Sequence, residues 1–312
     1  MRTMRRFLVA MVLLAAASAA GCGSSQPPPD MPSVRGTFGA DPVISMPNGT
    51  PPGQLVVRTL IQGHGPVVRP HDYVLFNVQG KVWDGDREVV DSYTNHSPQG
   101  LPLRSAIPAW RSLAGQRTGS RVLMVVPPKD AFGPKGNPQA NIMGSDTLVF
   151  VFDVLGSLQE TAHATGTVIP YHPGPGLPSV AWAAHGPKIT VPAKATPPAK
   201  ATPPAKLVRQ VLIRGRGRPI QAGQTVVVQD TGVVWRTGKV FDSTWARGFP
   251  ESFLLGAGQV LPGWENGLGG LPVGSRVLLV IPPTLGYGQA GHAPYVGSKD
   301  TLVFVIDIVA AT

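Results

Sequence analysis

Apolar residues along this chain come in short runs cut by glycine, proline and polar residues. Val226-Val227-Val228, Arg276 to Ile281 and Leu302 to Val309 are β-branched runs bounded by Gly or Pro, the mark of short strands. One stretch follows a different period. In WENGLGGL, Trp264, Leu268 and Leu271 fall at i, i+4 and i+7, one face of a short helix. Its glycines make it a weak helix former, so packing must hold it. A small antiparallel sheet wrapped on one short helix buries such a face, and the pattern predicts an α+β fold.

The pattern occurs twice. LVVRTLIQGHG at 55–65 is echoed by LVRQVLIRGRG at 207–217, Asp91-Ser92 by Asp242-Ser243, Ile107-Pro108-Ala109-Trp110 by Leu261-Pro262-Gly263-Trp264, and DTLVFVFDV at 146–154 by DTLVFVIDI at 300–308. GSRVLMVVPPKDAFGPKG at 119–136 shares ten of eighteen positions with GSRVLLVIPPTLGYGQAG at 274–291, and Phe132 stands where the second copy has Tyr287. The offset stays between 151 and 155 residues, a period of two whole domains, 55–156 and 207–312, rather than a solenoid. The 157–206 stretch between them reads as a Pro-rich linker. Within it AKATPPAKATPPAK favours a semi-rigid polyproline II spacer.

Composition adds context. Of 312 residues, 38 are Gly and 34 Pro, and only 14% are charged, which favours strands and turns over long helices. The opening MRTMRRFLVAMVLLAAASAAGCGSS has a basic start and an apolar run from Phe7 to Ala20. That run is shorter than the roughly 20 residues a membrane crossing needs and fits a signal peptide, residues 1–21. The one cysteine, Cys22, follows Ala19-Ala20-Gly21. This is similar to a bacterial lipobox, which implies lipidation at Cys22, a flexible tether over 22–54, and a chain held on the outer face of the cytoplasmic membrane by a lipid anchor only; the alternative is plain secretion. A lone cysteine excludes an intrachain disulfide. The net charge of +10 is spread along the chain, without the clustered basic and aromatic residues of a nucleic-acid site.

Several chemistries find no support. There is no phosphate-binding GxxxxGK[ST] loop, no HExxH zinc pair and no GxSxG nucleophile elbow. The seven histidines are scattered, so neither a metal nor a cofactor is expected.

The second unit carries TG at 231–232, GKVFDS at 238–243, VLPGWENGL at 260–268, GSRVLLVIPPTLGYG at 274–288, GHAP at 291–294 and DTLVFVIDI at 300–308. In order and spacing these resemble the FKBP-type peptidyl-prolyl cis–trans isomerases. The resemblance implies two domains, each a curved antiparallel sheet around a short helix with an apolar pocket between, joined by a Pro/Ala/Lys-rich linker. It implies rotation about X–Pro bonds of unfolded or exported polypeptides, with no cofactor. Carried over by position, Phe241 and Phe304 would be aromatic walls, Val260, Leu261 and Val296 aliphatic walls, and Trp264 the floor. Tyr287 would donate to the substrate carbonyl, and Asp242 would sit beside the rotating amide.

Two positions depart from the family pattern. Asp230 stands where a pocket tyrosine is usual, and Glu251 where a rim phenylalanine is common. Asp230 either points at solvent or makes the pocket more polar, and macrolide binding is expected to be weak. In the first unit, Val78, Val90 and Phe132 align with Asp230, Phe241 and Tyr287, while Asp91, Ile107, Trp110 and Phe150 remain. That unit is therefore expected to bind or space, and the second to isomerise. The alternative for the whole chain is a non-catalytic chaperone or peptide-binding adaptor.

Overall fold

The computed structural model describes residues 31–85, 87–174, 176–183, 186–192 and 202–312. The signal segment, Cys22 and most of the AKATPP run lie outside the described residues. A hairpin of β1 (Ser33–Arg35) and β2 (Val43–Ser45) comes first. The first unit then contains β3 (Val56–Ile61), β4 (Asp72–Val82), β5 (Glu88–Asp91), β6 (Gln99–Pro102), β7 (Arg121–Val126) and β8 (Leu148–Gln159). Its sheet runs β3-β7-β8-β4-β5, with β6 also on β4, and every pair is antiparallel. Next come β9 (Gly166–Val168) and a second hairpin, β10 (Ser179–Ala183) with β11 (Gly186–Thr190).

The second unit repeats the plan with β12 (Val208–Gly215), β13 (Thr225–Val234), β14 (Val240–Ser243), α1 (Thr244–Arg247), β15 (Glu251–Leu254), α2 (Pro262–Leu268), β16 (Arg276–Ile281) and β17 (Leu302–Ala311). Here the order is β14-β13-β17-β16-β12-β9, with β15 also on β13. Trp264 and Leu268 are buried on α2, and Leu271 just beyond it, as the i, i+4, i+7 spacing predicts. The glycines that weaken this helix let it lie close to the sheet. A Cβ on Gly263 would stand 2.5 Å from Ile281, and one on Gly267 2.7 Å from Leu279. In the first unit the same place holds a 3-10 helix, Pro108–Leu113, so the expected short α-helix forms in only one of the two.

The stretches read as tether and linker are partly folded. Ile44 of β2 packs with Trp83, Leu123, Val125, Val149 and Val151 on the outer face of the first sheet. Ile189 of β11 packs with Leu212, Trp235, Leu278, Val280 and Val303 on the outer face of the second. Each sheet is thus apolar on both faces, and each is preceded by a hairpin that covers the face away from the cleft. The physical reason is plain: strands such as RVLLVI bury both sides, and a polyproline spacer could not cover the second. The sequence signal for this larger repeat is short, Pro32-Ser33-Val34 against Pro178-Ser179-Val180 and Ile44 against Ile189.

The repeated GSRVL and FDV/IDI motifs fasten these coverings. Arg121 and Asp153 form a wholly buried ion pair at 2.7 Å. Arg121 also donates to the carbonyls of Gly36 (3.1 Å) and Ala40 (2.5 Å), and Asp153 accepts from the Gly39 N–H at 2.7 Å. The buried pair is therefore completed by the turn of the first hairpin. In the second unit Arg276 pairs with Asp307 at 2.6 Å, Asp307 accepts from Ala164 N–H, and the Arg276 guanidinium lies 3.7 Å from the Trp182 ring centre.

The units touch each other. Tyr73, Leu75 and Val227 form a shared cluster with Leu155, Phe249 and Val309 around it. Tyr73 donates to Ser252 Oγ at 2.9 Å, and burial pushes the Tyr73 phenol up to about 12. Arg104 of the first unit donates to Gly248 O of the second, and Gln229 of the second to Glu160 O. Among the described residues no helix is long and apolar enough to cross a membrane.

Candidate functional site

A cleft of about 350 Å³ opens beside α2 of the second unit, lined by Asp242, Glu251, Gln259, Val260, Leu261, Pro262, Trp264, Tyr287 and Phe304. Six of the eight residues singled out in sequence line it directly. The other two stand behind. Phe241 packs edge-on against Phe304 (5.5 Å) and faces Tyr287 (6.4 Å). Val296 is buried in the same core, in the loop that returns toward Tyr287.

Local structure explains the placement. Trp264 sits in the first turn of α2, 4% exposed, with its ring perpendicular to Phe304 at 5.2 Å. Such edge-to-face pairs hold rings at fixed angles, so the floor is set by its neighbours. Its Nε1 has no protein partner. Gly232 faces Phe304 across the β13–β17 ladder, and a Cβ there would meet that ring at 2.6 Å. Tyr287 caps the 3-10 turn Gly288–Ala290 and stacks on His292, ring centres 4.9 Å apart. Burial, and then the nearby acids, push its phenol up from the ordinary value, so it stays protonated and able to donate.

The electrostatics of the cleft wall are unusual. Asp230 does not point at solvent: it is 0% exposed in β13, and neither carboxylate oxygen has a hydrogen-bond partner. Burial above all, then the charges of Glu251 and Asp242, holds its carboxyl well above the ordinary range. Glu251 is raised mainly by burial, against the lowering effect of Arg247. Arg247 donates to Asp242 and, at 2.7 Å, to Glu251 Oε2. Arg247 and His292 were not singled out in sequence as site residues. A signal existed for the first, because Ser243 accepts from Ala246 N–H and starts a helical turn that carries Arg247 back over Asp242.

The first unit departs further than its sequence suggests. In β13–β14, Gly232 pairs with Asp242 and Thr231 with Ser243. In β4–β5 the matching Gly80 pairs with Val90 and Gln79 with Asp91. The hydroxyls agree with this register. Ser92 Oγ accepts from Val78 N–H as Thr244 Oγ1 accepts from Asp230 N–H. The Asp91 carboxylate accepts from the N–H groups of Tyr93 and Thr94, as Ser243 caps its own turn. Matching Asp91-Ser92 to Asp242-Ser243 by letter was therefore one residue out. Asp91 is a turn cap, Val90 stands at the place of Asp242, and Val89 at that of Phe241. Trp110 remains, packed edge-on against Phe76, Phe150 and Phe152 at 5.2–5.7 Å.

One family model matches both units. The family model for the FKBP-type peptidyl-prolyl cis-trans isomerase matches residues 65–155 and 217–309. An FK506-binding protein of Streptomyces anulatus is 48% identical over 97 residues, 31% of this chain and 78% of that protein. FK506-binding protein 2B of Rhizopus delemar is 42% identical over 92 residues, 30% of this chain and 44% of that one. Among solved structures, FkpA from Escherichia coli aligns with a TM-score of 0.32 at 32% identity, covering 34% of this chain and 48% of that chain. The chain spans about half the length of the last two.

Proposed function

The chain belongs to the FKBP-type peptidyl-prolyl cis–trans isomerases, and we propose that its second unit carries the catalysis while the first serves as a non-catalytic companion. The observation behind this reading is that only the second unit sets a phenol and a carboxylate, Tyr287 and Asp242, over a Trp264–Phe304 floor. No bond is made or broken in X–Pro rotation, so no nucleophile is required. The barrier of about 18–20 kcal/mol is amide resonance, lost when the bond twists. An apolar floor of Trp264, Leu261 and Val260 takes the proline ring and disfavours the charge-separated planar amide. Tyr287 donates to a substrate carbonyl, and Asp242, steadied by Arg247, faces the rotating amide. Only interactions stronger with the twisted amide than with the planar one raise the rate.

The substrates are proline-containing unfolded or exported polypeptides. The chain is tethered outside the cytoplasmic membrane through lipidated Cys22, and acts without a cofactor. Relatives named for FK506 binding suggest that a macrolide enters the same cleft, weakly, because Asp230 and Glu251 stand where aromatic residues are usual. The test is a cis–trans exchange assay of the full chain on an Xaa-Pro peptide. Trp264→Ala should abolish most of the acceleration and Trp110→Ala should not; no acceleration by the full chain, or equal loss from both changes, overturns the assignment. The polar wall of Asp230 and Glu251 favours one rival, a holding chaperone. It predicts suppression of client aggregation that survives Tyr287→Phe.

A further inference from the structure

The wall of the cleft contains a charge problem that isomerase chemistry does not use. Asp230 lies in the middle of β13, hydrogen-bonded to β17 on one side and flanked by β14 and β15. Its backbone is satisfied: Thr244 Oγ1 accepts from the Asp230 N–H and donates to its carbonyl. Its carboxylate is not, for both oxygens are buried without a partner. A buried carboxylate left alone costs several kcal/mol. Two further carboxylates adjoin it: one oxygen each from Asp230, Asp242 and Glu251 all lie within 4.8 Å of one another. Arg247 reaches Asp242 and Glu251 from the open side, and no hydrogen bond joins it to Asp230.

We propose that Asp230, Asp242 and Glu251 bind a single hard divalent cation, Ca²⁺ in first place, at the wall of the second cleft. The donor set is all carboxylate oxygen, which suits Ca²⁺, Mg²⁺ and Mn²⁺ and not the soft metals. Ligand number favours Ca²⁺, which takes about 6–8 oxygens in flexible geometry. Mg²⁺ dehydrates reluctantly and is usually held through one or two carboxylates, fewer than the three gathered here. Asp230 supplies the buried ligand, Asp242 and Glu251 the two at the edge, and water from the cleft completes the sphere. Arg247 is the built-in competitor. Its side chain is 38% exposed and can swing to solvent when a cation takes over its two carboxylates.

The first unit supplies an internal control. In the same ladder positions it has Val78 for Asp230, Val90 for Asp242 and, paired to Phe76 as Glu251 is to Val228, Gln99 for Glu251. One cation per chain, not two, is expected.

The test is calorimetric titration of the full chain with calcium chloride at neutral pH, alongside thermal unfolding with and without the salt. We expect one site per chain and a Ca²⁺-dependent rise in the unfolding temperature, since a ligand of the folded state alone stabilises it. Asp230→Asn and Glu251→Gln should each weaken binding at least tenfold, and Arg247→Ala should tighten it. The last change guards against a trivial loss through misfolding, because a damaged fold cannot bind more tightly. Absence of binding at millimolar Ca²⁺ overturns the proposal and leaves a protonated Asp230 as the resolution of the buried charge. Binding that is unchanged in both acid variants overturns it as well.

Discussion

Ser120 and Ser275 make the same bond in the two units. Each accepts from a glycine N–H at the end of its unit's first strand, Gly63 just past β3 at 2.9 Å and Gly215 closing β12 at 3.0 Å. The next residue in each, Arg121 or Arg276, pairs with an aspartate on the neighbouring strand, at 2.7 and 2.6 Å. Around the clefts the agreement narrows to the edge-on Trp–Phe pair, Trp110 with Phe150 and Trp264 with Phe304. Phe132 faces Tyr287 in the comparison, Val90 faces Asp242, Val78 faces Asp230 and Gln99 faces Glu251. The duplicated segments share what closes the sheet and its covering hairpin, and differ in what meets a ligand. Identity between the copies therefore covers the scaffold and the Trp–Phe floor, and divergence marks the polar groups that meet a ligand.

The scaffold half of the comparison breaks most severely at its buried ion pair. Arg121→Ala leaves Asp153 buried and unpaired and frees the carbonyls of Gly36 and Ala40. The expected cost is about 3–5 kcal/mol, read by denaturant unfolding. Arg276→Ala should cost less, because Arg276 is already 12% exposed and its other contact is the ring of Trp182. Equal costs would mean that the first hairpin is not held by Arg121.

The site half is sharpened by exchanging residues between the copies. Asp242→Val installs what the first unit has, and the isomerase rate of the full chain should fall at least about tenfold, equivalent to about 1.4 kcal/mol of transition-state stabilisation. Asp91→Ala should leave the rate untouched and instead lower stability by about 0.5–2 kcal/mol, the worth of a cap. An Asp91 variant with a slowed rate would restore the letter-by-letter alignment of the two Asp-Ser pairs.

That alignment shows what was legible and what was not. The two units, the strand Arg276–Ile281, most of the strand Leu302–Ala311, the short helix at Trp264 and six of the nine residues lining the second cleft were readable, because periodicity and motif order are local. The pairing of Gly80 with Val90 is a register, set by where a bulge skips Val89 in one copy and Phe241 in the other. A string of letters carries a one-residue slip without any sign of it. The hairpins were missed for a related reason. Their partners are outer sheet faces assembled from several strands spread further along the chain, and Pro-rich flanks dominate their composition. Asp230 was readable as a departure but not as a buried one, since burial there depends on β14 and β17 closing over it.

Asp230 also separates the units by pH. Its folded-state carboxyl is raised above the ordinary value of 3.8, so the folded chain holds a proton that the unfolded chain releases. The stability this gives is fully present below about pH 3.8 and is lost as pH rises through the folded value, at up to about 1.4 kcal/mol per pH unit. Asp230→Asn should remove that part of the slope, so that the variant gains on the parent as pH rises. Val78→Ala in the first unit should leave the slope as it is. Chemical unfolding across pH 4–8 reads both; parallel curves for Asp230→Asn and the parent would mean that the carboxyl titrates alike folded and unfolded.

The smallest effect is expected from the most visible difference. Tyr287→Phe removes one neutral hydrogen bond, worth about 0.5–1.5 kcal/mol, and should slow isomerisation by roughly two- to tenfold. The reverse change, Phe132→Tyr, should do nothing. Phe132 caps a 3-10 turn just as Tyr287 does, so the new hydroxyl would arrive in a similar place. It would find Val90 instead of a carboxylate, Val89 instead of a phenylalanine wall, and a Trp110 packed against three phenylalanines. The clean measurement is the exchange rate of Phe132→Tyr in a Trp264→Ala background, where the second cleft no longer masks a gain in the first. A rise would show that the hydroxyl alone limits the first unit. No rise places the difference in the whole constellation around the hydroxyl, because a donor accelerates rotation only when the rest of the cleft holds the amide where that donor favours its twisted form.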